Sequence, residues 1–319
     1  MDEQQIVEQY AKAKAFKAEA ERLEKEGEVH SEGDGMTRVA IIADSHFDES
    51  SRFDECCEIH EWIARDVALR DVDLVLHSGD VFERKSTPRE RLAVRDWLRQ
   101  VTEHAPVCMV RGNHDAPRDL ALFDALETRC PIRVVEGAEL VSFGGFDCGR
   151  GIDVACMAWP RKAELLSRLG DVSHEQGDQI AVNELRNVLR GLGVQRAPEP
   201  LERPLIFLGH VQTRASRVST GQPLVGCDFE LGLEDLALVG ADFYALGHVH
   251  LGQEWTIDDA PVVYPGSPRR TAFGETEPKG YVVADFDQGR LVGWERVETP
   301  ARQMILLEAS WNGETLELR

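Results

Sequence analysis

The feature that most constrains this chain is a regular exchange of short apolar runs and helical stretches beginning at Arg38. The runs RVAIIA (38–43), VDLVLH (72–77), PVCMV (106–110), PLIFL (204–208) and DFYAL (242–246) are short and bounded by turn residues, so they read as buried strands. Between the first three lie DECCEIHEWIARDVAL (54–69) and PRERLAVRDWLRQVTE (88–103), both with helical apolar spacing. Thr87 suits an N-cap and Pro88 the first turn that follows it. A further helical pattern, roughly 178–191, precedes PLIFL. Strand and helix in alternation give βαβ units and a largely parallel, buried sheet. After Pro261 the pattern turns strand-rich, in PVVY, GYVVADF, RLVGWERV and QMILLEA.

Each of the five apolar runs stops at side chains that can ligate a metal. The first leads to Asp44 and His46, the second to Asp80, the third to Asn113, His114 and Asp115, the fourth to His210, and the fifth to His248 and His250. In open α/β sheets, sites form beyond the carboxyl ends of the strands. Five segments therefore deliver carboxylate, amide and imidazole groups to one edge. Gly79, Gly112, Gly209 and Gly247 each precede one of these residues, where the backbone must turn sharply. Carboxylate and imidazole ligands without thiolates suit Mn(II), Fe(II) or Zn(II), and Mg(II) where oxygen dominates. Seven ligands exceed the needs of one ion. They suit two divalent ions roughly 3.5–4 Å apart, the spacing used for in-line displacement at phosphorus. Asp80, on a central run, is the natural bridge.

The rest of the chain sets limits. With 319 residues and 42% hydrophobic content, it can build one large α/β domain or two smaller ones. The net charge of -21 argues against a protein that coats nucleic acid through a general basic surface, though not against a local grip on a phosphodiester. Seven scattered cysteines, with no CxxC, read as reduced thiols of a cytoplasmic protein. No apolar run is long enough to span a bilayer, so no membrane association is expected. Residues 2–26 have helical periodicity, with Ile6, Tyr10, Ala13, Ala20 and Leu23 near one face, and residues 30–35 read as a linker. The expected organisation is a helical extension over 1–36, a catalytic domain over 37–300 and a short C-terminal strand segment over 301–319. The extension either docks on the domain or binds a partner.

The order DxH, GD, GNHD, GH, GHxH resembles the signature of the calcineurin-like metallophosphoesterase superfamily over about residues 38–286. GDVFERKSTPRERL, DFYALGHVHLGQ and VVYPGSPRRTAFGETEPKGYVVADF are similar to the SbcD-type nuclease subunit of double-strand-break repair complexes. The resemblance implies a four-layer α/β/β/α sandwich, here with an added N-terminal helix. It implies that Asp44, His46 and His250 hold one metal, that Asn113, His210 and His248 hold the other, and that Asp80 bridges them. It casts His114 as the group that protonates the leaving oxygen or stabilises the phosphate, with Asp115 holding its ring. It implies Mn(II) as the favoured metal, DNA as substrate, an SbcC-like ATPase subunit as partner and a homodimer contact. That family usually continues into a capping domain and an ATPase-binding segment. This chain stops at Arg319, where the cap would begin, so both are expected to be missing.

Other candidates are weighed beside these. His77 reads as a supporting or core histidine, His60 and His104 as ordinary surface or boundary residues, and His30 and His174 as inert. Arg84, Lys85, Arg111, Arg214, Arg269 and Arg270 fall in loops at the ligand edge and are candidate phosphate contacts, against the alternative of ordinary ion pairs. Trp62, Trp97 and Leu98 suit packing against the sheet or a dimer contact. The expected function is a Mn(II)-dependent DNA nuclease, exonuclease and endonuclease. The rivals are a phosphomonoesterase or cyclic-nucleotide phosphodiesterase, and a subunit inactive without its partner.

Overall fold

The computed structural model describes residues 36–144, 151–161, 174–195, 203–222, 230–304, 309–311 and 316–318. The helical extension, its linker, His30, Cys148 and Cys227 lie outside the described residues.

The first apolar runs become β1 (Met36–Ile42), β2 (Leu74–His77) and β3 (Val107–Val110), followed by β4 (Ile132–Val135), all parallel. The chain then forms β5 (Ala138–Phe143), β6 (Ile152–Met157) and β7 (Leu205–His210). A two-residue pair, β8 (Gln212–Thr213) and β9 (Glu230–Leu231), precedes β10 (Phe243–Gly247), β11 (Gln253–Ile257) and β12 (Ala260–Tyr264). Last come β13 (Gly280–Asp287), β14 (Arg290–Glu298) and a hairpin of β15 (Ala309–Trp311) with β16 (Leu316–Leu318). Two six-stranded sheets result, in the orders β14-β13-β1-β2-β3-β4 and β11-β12-β10-β7-β6-β5.

Side chains alternate across a strand, and here both faces are covered. Val39 and Ile41 of β1 point to the other sheet and meet a layer that includes Ile206, Leu208, Phe243 and Ala245. Ala40 and Ile42 point the other way, to the helices Phe53–Leu69 and Pro88–Thr102. The second sheet repeats the arrangement. Phe207, Tyr244 and Leu246 cover the helix His174–Val194 through Ala181, Leu185 and Leu189. This is the expected four-layer α/β/β/α sandwich.

Thr87 caps its helix as expected. Its hydroxyl accepts from the Glu90 amide at 3.3 Å, the Glu90 carboxylate accepts from the Thr87 amide at 2.8 Å, and Pro88 opens the helix. Trp97 and Leu98 on that helix are buried in the core, and Trp62 is half-buried against it. Packing against the sheet therefore accounts for them. The cysteines of the described residues are free, and no helix among these residues is long and apolar enough to cross a membrane.

Candidate metal centre

Register brings the strand ends level. Ile42 pairs with His77, His77 with Met109, and Gly247 with His210, so the residues that follow emerge at one edge. The loops there are laced together. Asp44 N donates to Gly79 O at 3.1 Å, His46 N to Asp80 O at 3.1 Å and Phe47 N to Val81 O at 2.8 Å. The backbone turns so sharply that Asp44, His46, Asp80 and His248 all have positive φ, at 53°, 47°, 54° and 104°. Such conformations cost about 1–3 kcal/mol each and cluster at functional sites. Close approach explains Gly112, where a Cβ would fall 2.0 Å from Asp80 Oδ1.

Three groups of potential ligands converge: Asp44, His46 and His250; Asp80, His210 and His248; and His46, Glu83 and His114. Within each group one ligand atom per residue lies within 4.8 Å of the others. Asp80 Oδ2 is 3.2 Å from His210 Nε2 and 3.8 Å from His46 Nε2, which places it between the first two groups. Its other oxygen accepts from the His114 amide at 2.8 Å. Asn113 Oδ1 is 2.9 Å from both His210 Nε2 and His248 Nδ1. Asp44 accepts from the His248 amide at 2.9 Å.

Hydrogen-bond direction tells what these clusters are for. A carbonyl or carboxylate can only accept, so the ring nitrogen facing it carries the proton. His210 Nδ1 donates to Ser78 O at 2.7 Å, which turns the lone pair of Nε2 toward the oxygens of Asn113 and Asp80. His46 Nδ1 lies 2.8 Å from a Glu83 oxygen, which leaves a lone pair on Nε2. Thr271 Oγ1 donates to Glu275 Oε1 at 3.0 Å and so accepts from His250 Nδ1, also at 3.0 Å. The two remaining Nε2 atoms, of His46 and His250, then face each other at 3.0 Å. Lone pair meets lone pair in both clusters, and only a proton or a cation relieves the repulsion. The donor set fits two divalent cations, with imidazoles oriented by partners on their far nitrogens.

The electrostatics agree. Burial alone would lower His210, but the Asp80 and Asp44 carboxylates and the Ser78 carbonyl push it up to about 9. Its second proton occupies the place of a cation. Burial would raise Asp80, but His210, His46 and His114 hold it well below the usual carboxylate range. Asp44 is pushed up to about 6, first by burial and then by the charge on Asp80.

Several expectations need correction. Asp115 does not hold the His114 ring. Its carboxylate accepts the amides of Gly112 at 2.9 Å and Phe82 at 2.9 Å, stapling two loops, while His114 Nδ1 donates to the Glu83 carbonyl at 2.7 Å. Arg270 is no free phosphate contact, because its guanidinium donates to the carbonyls of Glu275, Glu277, Ala301 and Arg302. Arg214 is committed to Glu234, Asp235 and the Glu230 carbonyl. Arg111 is buried. Arg269 is also buried, donates to the His46 carbonyl at 2.7 Å and lines the cavity. Arg84 pairs with Asp48 at 2.6 Å beside the cavity, and Lys85 is exposed.

His60 is buried rather than peripheral. His77 Nδ1 accepts from Gly79 N at 3.2 Å, so its Nε2 donates to Ser45 Oγ at 2.8 Å. Ser45 in turn donates to His60 Nε2 at 2.7 Å, and His60 Nδ1 donates to Cys56 O at 2.8 Å. This chain grips Ser45, which lies between Asp44 and His46, and gives His77 its expected supporting place. Glu83, Gln222, Thr271, Glu275 and Lys279 were missed in the sequence. Gln222 accepts the His250 amide at 3.0 Å and donates to the His248 carbonyl at 2.7 Å. GDVFE carried a signal, a carboxylate three residues after Asp80, whereas Glu275 lies 25 positions from His250 in sequence and joins the site only through the fold.

Fold and site together define a metal-dependent phosphoesterase. The family model described as "Calcineurin-like phosphoesterase" matches residues 37–252, and the chain belongs to that family. Among curated relatives it is 24% identical over 306 residues to the DNA double-strand break repair protein Mre11 of Methanopyrus kandleri, covering 88% of this chain and 61% of the relative. It is 24% identical over 246 residues to the protein of the same name from Methanocaldococcus jannaschii, covering 73% of this chain and 57% of the relative. The chain thus spans about three-fifths of the length of these relatives. Among solved structures, GAP50, the anchor in the inner membrane complex of Plasmodium, shares the fold. The TM-score is 0.52 at 14% identity, covering 83% of this chain and 89% of that one.

Proposed function

We propose that this chain is a Mn(II)-dependent DNA nuclease that hydrolyses phosphodiester bonds in repair or recombination, as both exonuclease and endonuclease. The observation that carries the reading is a pair of facing donor clusters, His46 Nε2 against His250 Nε2 and His210 Nε2 against Asn113 and Asp80, beside His114. The likeness to archaeal double-strand-break repair proteins supports DNA as the substrate.

Asp44, His46 and His250 would hold one cation and Asn113, His210 and His248 the other, with Asp80 between them. Two bound cations would polarise the phosphoryl oxygens and lower the pKa of water at the site. The protein supplies the rest. The Glu83 carbonyl accepts from His114 Nδ1 and so orients the ring with Nε2 toward the cavity. With a second proton on Nε2, the imidazolium gives that proton to the departing sugar oxygen as its bond to phosphorus breaks, and reverts to the Nδ1–H form. Glu83 also fixes the His46 ring, and Thr271 with Glu275 fixes His250. Arg269 and Arg84, beside the cavity, attract the phosphate backbone. An SbcC-like ATPase subunit and a second copy of this chain are the partners this reading entails.

The test is cleavage of end-labelled single- and double-stranded DNA in Mn(II), Mg(II) or EDTA. Mn(II)-dependent cleavage, reduced at least a hundredfold in His114→Ala, supports the reading; general acid catalysis is worth about 10²–10⁴-fold. Hydrolysis of a mononucleotide or a cyclic nucleotide with no DNA cleavage overturns it.

A further inference from the structure

Phe273 is 87% exposed, an unusual place for a large aromatic side chain on a well-packed protein. Its surroundings are firmly held. Thr271 and Ala272 line the cavity, while Glu275 is fully buried. Thr271 N donates to Glu275 Oε2 at 3.1 Å and Thr271 Oγ1 to Glu275 Oε1 at 3.0 Å, so one carboxylate closes the loop 271–275. Lys279 anchors that carboxylate at 2.7 Å, and Thr271 is bonded to the His250 ring. Gly274, at φ +96°, turns the chain back directly after Phe273. The neighbouring turn reaches Gly221, at φ +83°, where a Cβ would fall 3.2 Å from the Phe273 carbonyl oxygen. Gln222, next along, binds the backbone of both His248 and His250. The aromatic ring is therefore held out to solvent on a braced loop, one residue from the cavity wall.

The cavity has a volume of about 180 Å³. Pockets that enclose a whole drug-sized ligand run to roughly 300–1,000 Å³. This one takes a phosphate and adjoining sugar, and a base attached to that sugar must lie at the rim. Stacking on an aromatic face is a contact every base can make, and it does not depend on a basic surface. That suits a chain with a net charge of -21.

We infer that Phe273 is a stacking platform for an unpaired nucleobase next to the scissile phosphate, and so selects single-stranded or frayed DNA over intact duplex. The inference rests on the nuclease reading and names the part of the substrate that the rim recognises. A paired base inside a duplex already has both faces covered and gains nothing from Phe273.

Two readouts test it. In Mn(II), kcat and KM are measured for wild type, Phe273→Ala and Phe273→Tyr on a single strand, on the same strand abasic beside the scissile phosphate, and on duplex. Phe273→Ala is expected to raise KM on the single strand by about tenfold, within the range stacking contributes per base. Phe273→Tyr should stay near wild type, and neither the abasic strand nor the duplex should distinguish Phe273→Ala from wild type. The second readout is quenching of a terminal 2-aminopurine by His114→Ala protein, with and without Phe273→Ala, which reads stacking without turnover. Quenching lost with Phe273 in a protein that cleaves no DNA sinks the nuclease reading and leaves the platform. Normal cleavage with an equal KM for wild type and Phe273→Ala on every strand, or an equal penalty on the abasic strand, overturns the platform. Absence of both cleavage and quenching overturns both.

Discussion

Replacing Glu275 with glutamine tests how much the buried carboxylate that holds Thr271 against the His250 ring contributes. Glu275 and Lys279 form an ion pair at 2.7 Å with side chains 0% and 1% exposed. Removing one member of a buried pair costs about 3–5 kcal/mol, because the other is left uncompensated. Lys279 keeps Glu277 at 2.9 Å and the His250 carbonyl at 3.2 Å, which puts the loss at the lower end, about 3 kcal/mol. The electrostatics of the carboxyl lead to the same figure. Burial alone would raise the Glu275 carboxyl, but His250 and Lys279 hold it at about 2 against an ordinary 4.5, a difference worth about 3 kcal/mol. A carboxyl with a depressed pKa stabilises the fold fully above its unfolded value, and that stability disappears as pH falls from 4.5 toward 2. Urea unfolding in EDTA should therefore find Glu275→Gln about 3 kcal/mol less stable than wild type at pH 7, with a gap that narrows between pH 5 and pH 3. The same variant frees the His250 ring and should weaken Mn(II) binding by about 10–100-fold. A variant as stable as wild type at pH 7, or a gap that widens in acid, refutes the reasoning.

Other outcomes follow from the same geometry. Asp44 at about 6 and His210 at about 9 in the metal-free protein must both shed their protons when a cation enters. Mn(II) affinity measured by calorimetry should rise by about tenfold per pH unit between pH 7 and pH 9 as the His210 proton becomes easier to displace, and a flat profile contradicts that. Gly112→Ala should abolish Mn(II)-dependent hydrolysis, since its Cβ would lie 2.0 Å from Asp80 Oδ1 and 2.3 Å from Asp80 N. Kinetics beside a circular dichroism spectrum check this, and wild-type rates in a folded Gly112→Ala protein refute it.

The centre was legible in the sequence where chemistry sits at a strand end. Apolar runs that stop at a ligand, preceded by glycine at Asp80, Asn113, His210 and His248 and by Ala43 at Asp44, encode both the sheet and the edge from which these residues emerge. β4, β5 and β6 were missed because they lack that signature. β4 is four residues long with Arg133 inside it, and β5 is an edge strand with mixed exposure. His60 sits between Glu58 and Glu61 and reads as peripheral, yet it lies one helical turn from Cys56 on the buried face. Asp115 follows His114 directly, but the turn sends the two side chains to different partners. Arg270 looked free because its carbonyl acceptors come from positions 275, 277, 301 and 302, which meet only in the folded chain.

The most direct test of the central claim is electron paramagnetic resonance of metal-free protein titrated with Mn(II). The facing lone pairs of His46 and His250, and of His210 against Asn113 and Asp80, predict two ions per chain with the broad signal of an exchange-coupled pair, replaced in Asp80→Ala by the six lines of isolated Mn(II). A wild-type protein that saturates at one uncoupled ion per chain would contradict the account.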